Sequence, residues 1–297
     1  MEKINFYTVK SKTLFQRKIA EKIAFSVFRS SAFICAGALG ILFYFLISRG
    51  YSAINWTFLT RPPREAMTEG GILPCIIGTF GLSIGAIIVA LPIGVMAAIY
   101  LTEYARDGKI LRIVRLGINN LAGVPSVVFG LFGLALFCIY LKMGVSLAAG
   151  ALTLSLMSLP IIIGATEEAL RAVPDSYRYA SLGLGATKWQ TIFRVVLPAA
   201  APGILTGAIL SVSRVAGETA PIMFTGAVFF TPSLPSSIFD EVMALPYHIY
   251  VLATAGTNIS QTRHLQYGTA LVLIALVFLI NIIAIVIRAK LRKKMKI

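Results

Sequence analysis

Two charged side chains draw attention by where they fall. Arg214 and Glu218 lie four residues apart in an apolar stretch, a spacing that puts both on one helix face. Gly207 and Ser211 continue that face, so it is small and polar rather than suited to lipid. A charge at the centre of a membrane span costs roughly 2.5–3.5 kcal/mol on insertion scales, so such residues turn towards a bundle interior or a wet cavity. Two roles fit the pair. One is a structural ion pair that holds a bundle together. The other is a path for an oxyanion: Arg214 offers a planar fork of donors, and Glu218 orients the guanidinium or accepts a proton from the anion. Pro221 cannot donate to the carbonyl of Gly217, which predicts a helix kink beside the pair.

A second constellation suits recognition rather than bond chemistry. Thr166 to Pro198 reads as a polar loop between apolar segments. Pro174, Asp175 and Ser176 open a helix, with the acid near the positive end of its dipole. Gly183 and Gly185 stop it, and Thr187 with Gln190 makes a capping box for the next. That second helix carries Trp189, Ile192, Phe193 and Val196 on one face, and Pro198 ends it. Each helix is too short to cross a bilayer. The stripe fits either a helix lying on lipid or one presented to the groove of a partner.

The elements that must position these residues are membrane helices. The 297 residues are 57% hydrophobic and 13% charged, against about 25% charged in soluble domains. The composition predicts an all-α integral membrane protein with six transmembrane helices. The net charge of +15 does not point to nucleic acid, because the basic residues gather beside apolar spans. Residues 1–23 are a basic amphipathic tail expected to lie on the membrane surface, followed by helix 1 at 24–48; its apolar run exceeds a signal-peptide core of roughly 7–15 residues, so we read it as an uncleaved span. Helix 2 is expected at 73–100 with a tilt or kink at Pro92, and helix 3 at 118–141, capped by Asn119 and Asn120. Helix 4 follows at 145–165, helix 5 after Pro202 and helix 6 at 267–287, before a basic tail at 288–297. Six spans put both termini on one side. Twenty of the 27 Lys and Arg then share that side, five lie on the other, and Arg29 and Arg214 fall within spans. The positive-inside rule makes the crowded side, with both termini, cytoplasmic.

Other chemistries find little support. Cys35, Cys75 and Cys138 sit in or beside apolar stretches without metal-ligand spacing, and no nucleophile–base pair marks a catalytic centre. The proline-rich stretch from Pro232 to His264, with Asp240, Glu241 and His248, reads as a surface or re-entrant element and not as a metal site. There is no GxxxxGK[ST] loop, so ATP would have to be used by another chain.

The loop residues resemble a known family. ABC importer permeases carry a loop of the form Glu-Ala-Ala, three residues, Gly, nine residues, Ile, one residue, Leu-Pro. Tyr179-Ala180-Ser181, Gly185, Val195 and Leu197-Pro198 occupy those places, with Tyr179 for the family's Glu, Ser181 for its second Ala and Val195 for its Ile. Three further stretches resemble the PstA-type permeases of phosphate importers: Gly70 to Pro74 with Ile77-Gly78-Thr79, Asn120 to Gly130 including Pro125, and Ser213 to Pro221. The resemblance covers residues 70–287, with the loop at 166–198. It implies a type I ABC importer permease fold in a bacterial inner membrane, moving inorganic phosphate by alternating access. Tyr179, Ala180, Gly185, Trp189, Phe193, Leu197 and Pro198 would couple to a cytoplasmic ATPase, and Arg214 and Glu218 would line the pathway. The resemblance further implies a homologous second permease subunit (PstC-type), two copies of the ATPase carrying ATP and Mg, and an extracytoplasmic phosphate-binding protein. The chain itself would hold no cofactor and no metal. Alternatives are a permease for sulfate or molybdate, or a stand-alone secondary transporter, which would leave the capped loop helix unexplained.

Overall fold

The computed structural model of the protein describes residues 6–255 and 259–294. Two compact units divide it, one ending at Arg49 and the other beginning at Gly50. The first unit is a single helix, α1 (Phe6–Gly50). The surface tail and first span read from the sequence are continuous, because no glycine or proline separates the basic from the apolar part before Gly37. Its described side chains face outward nearly throughout, as suits a helix in lipid.

The second unit opens with α2 (Trp56–Thr60) and a two-residue hairpin, β1 (Pro63–Arg64) against β2 (Glu69–Gly70). Helix α3 (Leu73–Ile99) follows, with Pro74 at its start and Pro92 inside, and ends in a π turn over Tyr100–Tyr104. The span expected at 118–141 is instead a broken one. Helix α4 (Lys109–Ala122) and α5 (Ser126–Gly133, continued by a π turn to Tyr140) meet at 101°. Pro125 drives the break, since a proline disfavours helical backbone at the residue before it. Asn119 and Asn120 therefore close α4 rather than open a span, and the Asn120 carbonyl accepts from Gly123 N at 3.0 Å.

Helix α6 (Leu147–Arg171) runs further than the sequence suggested, so Thr166 to Arg171 belong to a span and not to the loop. Its first N–H groups are all satisfied: Leu147 N by Asp240 O, Ala148 N by Ile238 O and Ala149 N by Ser146 Oγ. Two helices follow, α7 (Asp175–Gly183) and α8 (Lys188–Thr191). Contrary to the expected stop at Pro198, α8 passes through a π turn over Ile192–Val196 straight into α9 (Leu197–Gly217). Leu197 N donates to Ile192 O, five residues back. The wider π register directly precedes Pro198, at the second position of α9, while Pro202 lies inside α9 itself. Short α10 (Ala220–Thr225), the buried α11 (Leu245–Thr254) and the long α12 (Ile259–Lys294) complete the unit.

Five helices are long and apolar enough to cross a membrane, or six with the bent pair α4–α5 taken as one span. At the centre, α3 packs on α6 and α6 on α9 through small residues. A Cβ on Gly203 would stand 2.6 Å from the Ala169 Cβ, and one on Gly94 2.7 Å from Ile162, so backbone approach here depends on glycine. Gly130 is likewise pressed against Phe224 and the backbone of Ala220 and Pro221, which seats α5 on α10. The tail expected at 288–297 is helical to Lys294, and the remaining residues lie outside the described part.

Candidate functional site

Helix α9 ends at Gly217, three residues beyond Arg214. Arg214 therefore occupies a last turn, where a cation meets the negative end of the helix dipole. Glu218 has extended backbone, with φ −74° and ψ 132°, so the two charges do not share a helix face as the spacing predicted. They still meet across the end of the helix, Arg214 Nε to Glu218 Oε1 at 3.4 Å. Pro221 starts α10 instead of kinking α9: its missing N–H falls in a first turn, where none is needed.

The pair is asymmetric. The Arg214 side chain is 44% exposed and that of Glu218 17%. Glu218 lines a crevice with Thr79, Ser83, Leu154 and Ala244 that has no room for a water molecule. The guanidinium is the more accessible member of the pair, and among the described residues its hydrogen bond is the one to Glu218 at 3.4 Å. One residue before Arg214, Ser213 Oγ lies 2.7 Å from the Asn281 side chain, and further back along α9 Arg288 donates to Thr206 Oγ1 at 2.9 Å. These two bonds pin α12 to α9. Asn281 was not among the residues singled out in the sequence, where it is one polar residue in an apolar run.

The second constellation folds as its spacing dictates. Thr187 and Gln190 close the capping box reciprocally. Helix α7 ends in a pair of bonds, Gly185 N to Leu182 O at 2.9 Å and Ala186 N to Ser181 O at 3.2 Å. With Gly185 at φ +84°, this is a Schellman motif that a glycine closes without strain. Ser181 Oγ meets Thr191 Oγ1 at 2.9 Å, tying α7 to α8.

The apolar stripe, however, divides. Ile192 and Val196 are fully buried in a cluster with Leu170, Ala98 and Ala200. Trp189 stays exposed with its ring 3.9 Å from that of Phe193, which is half-buried. The π turn shifts the angular positions after Thr191, so one predicted face becomes two. Trp189, Tyr177, Tyr179, Leu182 and Leu184, the last 91% exposed, form an aromatic and aliphatic surface on α7–α8. Ala180, Gly185 and Pro198 are also exposed, and Leu197 is half-buried. Asn120 and Pro125 are exposed at the α4–α5 bend, far in role from Gly130 in its packed contact. Among the described residues no group of three metal-ligating side chains converges.

Comparison with known proteins places this geometry. The family described as "Binding-protein-dependent transport system inner membrane component" matches residues 90–297. A probable ABC transporter permease protein of Bacillus subtilis is 33% identical over 279 residues, covering 90% of this chain and 95% of its own length. Phosphate transport system permease protein PstA 1 of Mycobacterium tuberculosis is 38% identical over 279 residues, 92% of this chain and 89% of its own. The PstA protein of Yersinia pestis is 36% identical over 243 residues, 81% and 79%. Among solved structures, an inward-facing conformation of the MetNI methionine ABC transporter shares the fold with TM-score 0.56 at 21% identity, over 74% of this chain and 94% of that one. An exposed aromatic surface on capped helices, continuous with a span that carries Arg214 in its last turn, thus lies within the matched residues 90–297, and the chain belongs to the binding-protein-dependent transport system inner membrane components.

Proposed function

We propose that the chain is a permease subunit of an ATP-driven phosphate importer of the inner membrane, with both termini, α7 and α8 on the cytoplasmic side. The observation that carries the reading is the unbroken helix from Lys188 to Gly217. Its 30 residues extend about 45 Å, longer than the roughly 30 Å hydrocarbon core. One end presents Trp189 beside the α7 surface, and the other carries Arg214. A partner that moves the first end moves the second through continuous helical backbone. The exposed aromatic surface suits docking into a groove on a cytoplasmic ATPase chain, which would hold the ATP and Mg. Arg214 then meets the anion with its free donors, while Glu218, nearly buried, fixes its orientation. A homologous second permease of the PstC type, two ATPase copies and an extracytoplasmic phosphate-binding protein complete the assembly.

The test is phosphate uptake by proteoliposomes holding the assembled complex. Arg214→Gln should abolish uptake while ATP hydrolysis persists, and Trp189→Ala should weaken capture of the ATPase chain. Arg214→Lys, which keeps charge and loses the fork, should fall between parent and Arg214→Gln. Uptake that proceeds without an ATPase chain would overturn the reading in favour of secondary transport. Uptake of sulfate or molybdate in preference to phosphate would reassign the anion.

A further inference from the structure

Helix α7 has no buried residue. It therefore has no apolar anchor in the bundle, and a push on it reaches the spans through its polar ties and the backbone at either end. One of those ties is Arg178. Its guanidinium donates to Glu103 Oε1 from Nη2 at 2.7 Å and from Nε at 3.2 Å. It also donates to Leu170 O at 2.9 Å, Val173 O at 2.8 Å and Asp175 Oδ1 at 3.2 Å. A single side chain thus joins the end of α3, the C-terminus of α6 and the first turn of α7. Both members of the Arg178–Glu103 pair are largely buried, with side chains 16% and 10% exposed.

The same π turn at the end of α3 is held from two further directions. Lys188, the first residue of α8, donates to Glu103 O and sets its ammonium 4.9 Å from the centre of the Tyr104 ring. Arg115 of α4 donates to Leu101 O at 3.0 Å and pairs with Glu167 of α6 at 3.4 Å. Cations at a helix C-terminus satisfy its last carbonyls and oppose its dipole. A buried pair of charges is a poor way to gain stability, since desolvation offsets most of the attraction, but it fixes geometry closely.

We propose that Glu103 is the receiving end of a clasp, closed by Arg178 of α7 and Lys188 of α8, that transmits displacement of the docked α7–α8 surface to α3. Helix α9 receives the motion through continuous backbone, and α3 receives it through this clasp, so both spans move together with the C-terminal end of α6 that Arg178 also holds. Arg178 and Lys188 are positioning residues and touch no substrate. The inference rests on the reading of α7–α8 as the ATPase-facing surface.

The test uses the complete complex in proteoliposomes with inorganic phosphate as substrate. Glu103→Gln and Arg178→Lys are each measured for capture of the ATPase chain, ATP hydrolysis and phosphate moved per ATP. Both variants should capture the ATPase and hydrolyse ATP, while phosphate moved per ATP falls roughly 2- to 30-fold, the range found for residues along coupling networks. The double variant should be no worse than the poorer single one, because each removes the same link. An unchanged ratio in Glu103→Gln, with a lowered melting temperature, would make the pair merely structural and overturn the proposal. Loss of assembly in both variants would do the same. A parent complex that shows no ATP-dependent uptake would instead refute the functional reading beneath it.

Discussion

Gly185 offers a clean way to perturb the α7–α8 surface without touching it. The residue sits at φ +84°, yet a Cβ built there would meet nothing within 4 Å. Replacement by alanine therefore adds no clash, and its whole cost is the left-handed backbone, roughly 1–2 kcal/mol. That cost corresponds to about a 5–30-fold change in the population of the closed motif. The reporters are the two amides that close it, on residues 185 and 186, whose bonds go to Leu182 and Ser181. Hydrogen exchange at residue 186 in the purified subunit should quicken by that factor in Gly185→Ala. Asparagine tolerates the left-handed region and should cost less, whereas β-branched valine should cost more. Capture of the ATPase chain should weaken in the order Gly, Asn, Ala, Val. Exchange in Gly185→Ala equal to the parent would refute the backbone argument. So would an Asn variant as damaged as the Ala variant, since that pattern implies a steric cause.

Three further outcomes follow from contacts already described. Thr187→Ala removes one half of the capping box and should cost about 0.5–2 kcal/mol, read as a lowered melting temperature in detergent. Gly78→Ala drives a methyl into the Met243 carbonyl oxygen, which is backbone and cannot step aside; overpacking of this kind costs about 1–3 kcal/mol, and the same melt measures it. Asp240 accepts from Ser236 Oγ and from the Ser236 and Ser237 amides, the hydroxyl bond contributing most, and these hold its carboxyl below the usual range. A depressed folded value means the turn is supported at higher pH and released as pH falls through it. Protection of the two amides, taken relative to the exchange of an unstructured chain at each pH, should hold at neutral and mildly acid pH and fall only below the ordinary aspartate value of about 3.9.

The spans were legible because apolar runs of that length have no other stable home, and the loop signals were legible because caps act locally. Thr187 and Gln190 need only each other, and Gly185 only its own φ. Local rules also explain the failures. Pro198 and Pro202 read as helix breakers, and no short-range pattern announces the π turn that lets α8 continue into α9. That turn also split the Trp189–Val196 stripe. The bend between α4 and α5 was hidden by an apolar stretch that hydropathy reads as one span, although Val124-Pro125 marks its place. The Arg178–Glu103 pair was out of reach for another reason: 75 residues separate its members, and only the packing of α3, α6 and α7 brings them together.

The π turn over Ile192–Val196 has a consequence for phase. In an α-helix each residue advances about 100° around the axis, so one residue accommodated in a widened turn resets every azimuth beyond it. The bearing of Arg214 relative to Trp189 is therefore written into the five residues Ile192–Val196 that lie between them. Returning this turn to α geometry with the same number of residues would swing the arginine some 100° away from its present direction. Two permeases with the same docking surface and the same terminal arginine, but different turns at this point, would aim that arginine at different walls of the bundle.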